Sequence, residues 1–143
     1  MSILKFKKAD IPEVAEIENL CFSVPWSAQA LEMLTQEPYC AFVLRENDKL
    51  AAYGGMLCVA GEAQMLNIAT SPEFRRRGYA RQILFALCKK AKECGAVTMS
   101  LEVRESNTSA QSLYISEGFE VIGIRKNYYV KPQEAAIIME KKL

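Results

Sequence analysis

The sequence predicts a mixed α/β (α+β) fold: about seven strands in one mixed sheet, with helices on both faces. Three observations carry that expectation. The chain has 143 residues, the size of one ordinary domain, and no linker, repeat or low-complexity stretch divides it. The apolar pattern gives the element order β-α-α-β-β-β-α-β-α-β-β. Antiparallel hairpins in the first half give way to a β-α-β-α unit in the second, an arrangement in which helices cover a mixed sheet. A single domain over 1–143 is the expected organisation.

Each element has a local reason. Ile3 to Lys7 alternates apolar and basic residues, as a half-exposed strand does. Asp10 stands three residues before Glu13, a capping-box spacing with Pro12 in the first turn, and Val14, Ile17 and Cys21 form the apolar stripe of the helix that follows. Pro25 is expected to end that helix, and Ser27 to cap a short second one carrying Ala30, Leu31 and Leu34. Tyr39 to Leu44, Leu50 to Val59 and Ala63 to Thr70 read as three strands, separated by the polar turn Glu46–Lys49 and a tight turn at Gly61. Tyr79 to Cys94 has the helical period, with Ile83, Leu84, Leu87, Cys88 and Ala91 on one side and Gly95 as its stop. A strand over Val97–Val103, a helix over Thr108–Ser116 stopped near Gly118, a strand over Phe119–Ile124 and a last strand over Ala135–Met139 complete the order.

Composition narrows the chemistry. Lysine plus arginine is 18 and aspartate plus glutamate 17, a net charge of +1, which argues against a protein that depends on bulk nucleic-acid or membrane electrostatics. The chain contains no histidine. That excludes Ser-His-Asp and Cys-His nucleophile systems, histidine zinc sites and histidine acid–base catalysis. The five cysteines, at 21, 40, 58, 88 and 94, are odd in number, lack C-x-x-C spacing and sit mostly in apolar stretches. They read as small buried hydrophobes in a reducing compartment, with no metal site. The N-terminal MSILKFKKADIPE has no apolar signal region, and no run approaches the ~20 apolar residues of a membrane span. A soluble, cytoplasmic protein is expected.

The strongest local signal is SPEFRRRGYARQIL. Four of the seven arginines, Arg75, Arg76, Arg77 and Arg81, fall where a strand passes through a loop into the long helix. Helix N-termini leave N–H groups unsatisfied and carry partial positive charge, so this is where an anion is held. Gly78 lets backbone approach a ligand closely, and Ala80 is nearly as small. The turn is neither a Walker loop nor G-x-G-x-x-G. It suits a phosphate-bearing ligand that is not an NTP or a dinucleotide; a solvated basic loop is the alternative.

With Arg75-Arg76-Arg77-Gly78-Tyr79-Ala80 in place of R/Q-x-x-G-x-G/A, the sequence resembles the GNAT family of acyl-CoA-dependent N-acetyltransferases. The resemblance covers nearly the whole chain through VPWS at 24–27, LNIA at 66–69, LEVRESN at 101–107, SLYISEGF at 112–119, RKNYY at 125–129 and AIIM at 136–139. It is nearest to the branch that acetylates the N-terminal alanine of a small-subunit ribosomal protein. It implies acetyl-CoA as cosubstrate and no metal. It further implies Ile68, Ala69 and Thr70 along the pantetheine arm, and the backbone of Arg76, Arg77, Gly78, Tyr79, Ala80 and Arg81 around the pyrophosphate. The acceptor it implies is a protein N-terminus, with no nucleic acid or membrane as partner. Ala80 for the second glycine is an allowed variation. Glu-Ala-Ala at 134–136, where near relatives have Glu-Asp-Ala, removes an acidic side chain near the acceptor end of the cleft and weakens any statement of exact preference.

Acetyl transfer from a thioester to an amine requires deprotonation of an ammonium, stabilisation of an oxyanion and protonation of a thiolate. An α-amino group has a pKa of about 7.7–8.0 against about 10.4 for lysine, so a protein N-terminus needs only a modest base. Without histidine, Glu102 on the strand SLEVR is the candidate base, flanked by Leu101 and Val103. An ordinary glutamate lies about 3.5 pKa units below the amine, a gap that burial or a water relay has to narrow. The bland alternative is a surface carboxylate paired with Arg104. Tyr114 is the candidate acid: a phenol near 10 is well matched to a thiolate near 8.5; otherwise it is a core aromatic beside Leu113. Asn107 is a helix cap that the resemblance also places on the coenzyme. Tyr128 and Tyr129, with Pro25 and Trp26, are expected to line the acceptor groove, with Glu134 and Glu37 as weaker acidic candidates. Alternatives are a GNAT enzyme acting on lysine side chains, polyamines or small amines, a non-catalytic acyl-CoA-binding module, and a basic RNA-binding patch.

Overall fold

The computed structural model describes residues 2–143. Its elements are β1 (Ser2–Lys5), α1 (Ile11–Cys21), α2 (Ala28–Met33), β2 (Tyr39–Glu46), β3 (Lys49–Val59), β4 (Glu62–Thr70), α3 (Tyr79–Glu93), β5 (Thr98–Arg104), α4 (Thr108–Ser116), β6 (Glu120–Tyr129) and β7 (Glu134–Lys142). They form one seven-stranded sheet in the order β1-β2-β3-β4-β5-β7-β6, the mixed sheet the sequence predicts. Only β4 and β5 pair in parallel; every other neighbouring pair is antiparallel.

Helices cover both faces because two separate apolar sets exist. On one face Ile83, Leu84, Leu87 and Ala91 of α3 pack on Ala52, Met65, Met99, Leu101 and Val103. On the other, Val14 and Ile17 of α1 and Leu31 and Leu34 near α2 pack on Ala41, Val43, Tyr53 and Ala69. Each fully buried Leu or Ile contributes about 1.5–3 kcal/mol relative to exposure. The helix α3 approaches the sheet closely at Gly54, where an added Cβ would stand 2.5 Å from Ile83 Cγ2.

Strand β4 carries one extra residue. Its register with β3 passes from Met56↔Met65 to Gly55↔Asn67, leaving Leu66 unmatched. A bulge of this kind reverses the faces taken by the residues that follow it. Met65 packs on the α3 side, Leu66 then packs on the α1 side, and Asn67 reaches Glu18 of α1.

Three local expectations are corrected. Asp10 does not cap α1: its carboxylate accepts from Lys7 N–H at 2.9 Å and from Arg45 at 2.7 Å, closing a 3-10 turn over Lys8–Asp10. The ion pair with Arg45 is stronger than a local cap. Helix α1 ends at Cys21, ahead of Pro25. The cysteines are half-buried and Cys94 is exposed; burial pushes the Cys40, Cys58 and Cys88 thiols up. The caps assigned to Ser27 and Asn107 form, with Ala30 N–H and Ala110 N–H donating to their side-chain oxygens at 3.1 Å each.

Candidate active site

The site begins where two parallel strands part. Residues 62–64 of β4 pair with 98–100 of β5, and nothing beyond them does. From Met65 to Thr70 one edge of β4 therefore lacks a β5 partner while the other stays bonded to β3. The cleft opens at the carboxyl ends of both strands, where open α/β sheets hold ligands. Ile68, Ala69 and Thr70 lie along this edge. The Thr70 carbonyl also accepts a bond from the Cys21 thiol at 3.4 Å.

After β4 the chain turns through Ser71–Gly78 into α3. Gly78 has φ +77° and so does Arg76 at +67°, left-handed backbone that turns the chain sharply. The first helical bond at this end runs from Gln82 N–H to the Gly78 carbonyl at 3.2 Å, so the N–H groups before Gln82 have no partner within the helix. Tyr79 turns its ring into the core against Phe74 and bonds Glu46 through its hydroxyl. Only its backbone belongs to the turn.

The arginine cluster is less free than its sequence suggests. Arg77 pairs with Glu46 at 2.6 Å and lies 5.2 Å from the Phe74 ring centroid. Arg81 pairs with Glu117 and bonds Ser116 at 3.1 Å. Arg75 reaches the Cys21 sulfur at 3.4 Å. Among the described residues, Arg76 alone of the four has no side-chain partner. Paired arginines still orient a turn, but they offer less net charge to an anion.

Glu102 stands opposite Ile138 of β7, which stands opposite Gly123 of β6. Its neighbours Leu101 and Val103 enter the α3-side core, so strand alternation turns Glu102 to the α1 side. Its Oε2 is buried and, among the described residues, has no hydrogen-bond partner. Two tyrosines feel its charge. Burial first, then Glu102, pushes the Tyr128 hydroxyl up; the same two causes raise Tyr129 to about 12. The alternative pairing of Glu102 with Arg104 does not form. Arg104 instead bonds Glu134 at 3.1 Å, the Val130 carbonyl at 2.9 Å and the Pro132 carbonyl at 3.0 Å.

Glu134, a weaker acidic candidate for the acceptor wall, is thereby held in an internal ion pair. It accepts from Ser106 N–H at 2.8 Å, Ser106 Oγ at 3.1 Å and Arg104, and these bonds hold its carboxyl below the ordinary range. Glu37 lies elsewhere, beside Cys58 and Gly61 in a cavity of about 730 Å³ at the other end of β4. None of the other candidate residues line that cavity.

Tyr114 is 6% exposed and packs edge-on to Phe119 with centroids 5.8 Å apart. Burial pushes its hydroxyl up to about 12. The phenol is therefore a poorer match to a thiolate than expected: the gap grows from about 1.5 to about 3.5 pKa units.

Sequence reasoning missed one part of the site. Glu18 is fully buried. Its Oε1 accepts from Trp26 N–H at 2.8 Å, and its Oε2 accepts from Asn67 Nδ2 at 2.6 Å and from the Tyr53 hydroxyl. Burial raises its carboxyl above the usual range. The signal was present: Glu18 lies four residues after Val14, on the apolar stripe of α1, where a carboxylate requires partners.

The model of the Acetyltransferase (GNAT) family matches residues 11–119. The chain belongs to the GNAT acetyltransferase family. Similar proteins include the [Ribosomal protein bS18]-alanine N-acetyltransferase of Haemophilus ducreyi, 40% identical over 91% of this chain and 92% of that one. The protein of the same description from Escherichia coli K12 is 37% identical over 96% of this chain and 95% of its own. The crystal structure of the ribosomal-protein-S18-alanine N-acetyltransferase from Escherichia coli superimposes with a TM-score of 0.92 at 36% identity, covering 99% of this chain and 92% of that chain. The structure of yncA from Salmonella typhimurium with its cofactor acetyl-CoA shares the fold, superimposing with a TM-score of 0.85 at 21% identity and covering 100% of this chain and 94% of that chain. Among the described residues no helix is long and apolar enough to cross a membrane.

Proposed function

We propose that this GNAT chain, acting as a single domain over 1–143, transfers the acetyl group of acetyl-CoA to the N-terminal alanine of ribosomal protein bS18 in the cytoplasm. The observation that carries the reading is Glu102: a carboxylate oxygen, buried and unpartnered, beside the point where β4 and β5 part. Such an oxygen is costly to bury unless a donor meets it during function. The relatives described above, similar over nearly the full chain, supply the acceptor.

Acetyl-CoA supplies the acetyl group as a thioester. Toward it, the free edge of Ile68, Ala69 and Thr70 offers backbone bonding groups to the pantetheine amides. The turn offers the N–H groups of Gly78, Tyr79, Ala80 and Arg81 to the pyrophosphate, with Arg76 and Arg77 at its border and Asn107 opening α4. Glu102 Oε2 accepts the proton that the α-ammonium must lose, directly or through water. An α-amine near 7.7–8.0 is partly neutral already, so little is asked of the base. Tyr114, held protonated by burial, donates to the departing sulfur. Pro25 and Trp26 on one side and Tyr128 and Tyr129 on the other form the walls that receive the first residues of the acceptor.

The test is thiol release from acetyl-CoA with peptides starting in alanine, against peptides starting in other residues, N-terminally blocked lysine peptides and polyamines. Turnover confined to free N-termini, fastest with the alanine peptide carrying the bS18 sequence, is expected. Preference for a lysine or polyamine would overturn the acceptor; tight coenzyme binding without turnover on any amine would overturn the enzymatic reading.

A further inference from the structure

Glu18 lies outside the acid–base pair, yet it joins the two halves of the cleft. Its carboxylate collects three donors from three different elements. Trp26 N–H comes from the loop between α1 and α2, 2.8 Å away. The Tyr53 hydroxyl comes from β3. Asn67 Nδ2, at 2.6 Å, comes from β4 directly after its extra residue, and it also donates to the Tyr53 oxygen at 3.1 Å. One oxygen is thus fastened to the acceptor loop and the other to the strand whose edge faces the cosubstrate.

We propose that Glu18 is a positioning residue that sets the distance between the acceptor loop at Trp26 and strand β4 at Asn67, and so determines how tightly the acceptor peptide is held. The proposal rests on the reading of loop 22–27 as an acceptor wall. The chemistry explains why the residue is an acid. Three donors converge on it, and a carboxylate has only acceptor sites, whereas a glutamine side chain has one oxygen and brings two further donors. A bond to a buried charge is also stronger than a neutral one. Val24 and Pro25 of the loop are exposed; its other anchors are Phe22 and Trp26, which pack on the α1-side core, and the Ser27 cap at the start of α2.

Trp26 is the chain's single tryptophan, so intrinsic fluorescence reports on this loop without any need for turnover. The experiment compares wild type, Glu18→Gln and Tyr53→Phe by acrylamide quenching of Trp26, by steady-state kinetics with the alanine-starting peptide, and by far-UV circular dichroism melts. Glu18→Gln should roughly double the quenching constant. It should raise peptide KM about tenfold, as loss of one charge-assisted bond predicts, and leave kcat within about threefold. Tyr53→Phe, which keeps the carboxylate and its bond to Trp26, should fold normally and shift quenching and peptide KM in the same direction by less. Unchanged quenching and KM in a folded Glu18→Gln protein would overturn the proposal. So would a fall in kcat at constant peptide KM, which would make Glu18 part of the chemistry. If Glu18→Gln does not fold, Tyr53→Phe decides, and no change in its quenching counts against the proposal. If wild type turns over no peptide, the acceptor reading fails, and quenching alone still tests whether Glu18 holds the loop.

Discussion

The guanidinium of Arg104 lies 4.4 Å from the centre of the Tyr129 ring, so the last residue of β5 supports one wall of the proposed acceptor groove. The same side chain holds two carbonyls of the turn between β6 and β7 and the Glu134 carboxylate. Replacing Arg104 by alanine should lower stability by about 1–2 kcal/mol, since the side chain is only partly shielded from water. It should also raise peptide KM several-fold without changing acetyl-CoA affinity. Chemical denaturation and initial-rate kinetics check the two parts separately, and Arg104→Lys should not rescue the planar stacking.

Acid should loosen the same turn. Glu134 has its carboxyl lowered, chiefly by the Ser106 backbone bond. A depressed folded-state pKa means stabilisation that is present above the unfolded carboxyl's value and is lost as pH falls through the folded one. Lowering the pH from about 5 to about 3 should therefore release the hairpin more steeply in wild type than in Glu134→Gln, read by amide exchange of residues 130, 131, 133 and 134.

Glu102→Gln should lower kcat by about a hundredfold or more while coenzyme affinity stays within about twofold, as expected when only an acid–base group is lost. Isothermal titration and single-turnover rates measure both. Equal rates in the two proteins would dismiss Glu102 as the base.

Tyr114 makes a different prediction. Burial holds its hydroxyl protonated up to about 12, so as the proposed donor it should stay loaded and impose no alkaline decline on kcat below about pH 10. Tyr114→Phe should spare the fold, because the ring contact with Phe119 remains, and should lower kcat. A decline between about pH 8 and 9 that Tyr114→Phe abolishes would contradict the raised value.

Gly54→Ala should cost about 1–3 kcal/mol, because the new methyl would meet Ile83 Cγ2 on a β-branched side chain that is stiff in a helix. Urea denaturation is the check; an effect under about 0.5 kcal/mol would show that α3 can shift away from the sheet.

Much of this protein was determined by the sequence alone. Local pattern marks all seven strands and four helices, β6 only as far as Ile124 of its Glu120–Tyr129, since Ile83, Leu84, Leu87 and Ala91 can share a face only as a helix and Leu101 and Val103 only as a strand. Residue types located the glycine turn, and the absence of histidine restricted acid–base work to groups such as Glu102 and Tyr114. Tertiary structure decided how charges pair and which way residues face. Arg104 turned from Glu102 to Glu134, and Arg77 and Arg81 took carboxylates from β2 and from the end of α4, because partners distant in the chain became nearest in space. Strict alternation from Ala63 and Met65 would have placed Asn67 on the α3 side. One extra residue at Leu66 turned it toward Glu18, since a single-residue slip in a strand exchanges faces, and no local periodicity records where such a slip occurs.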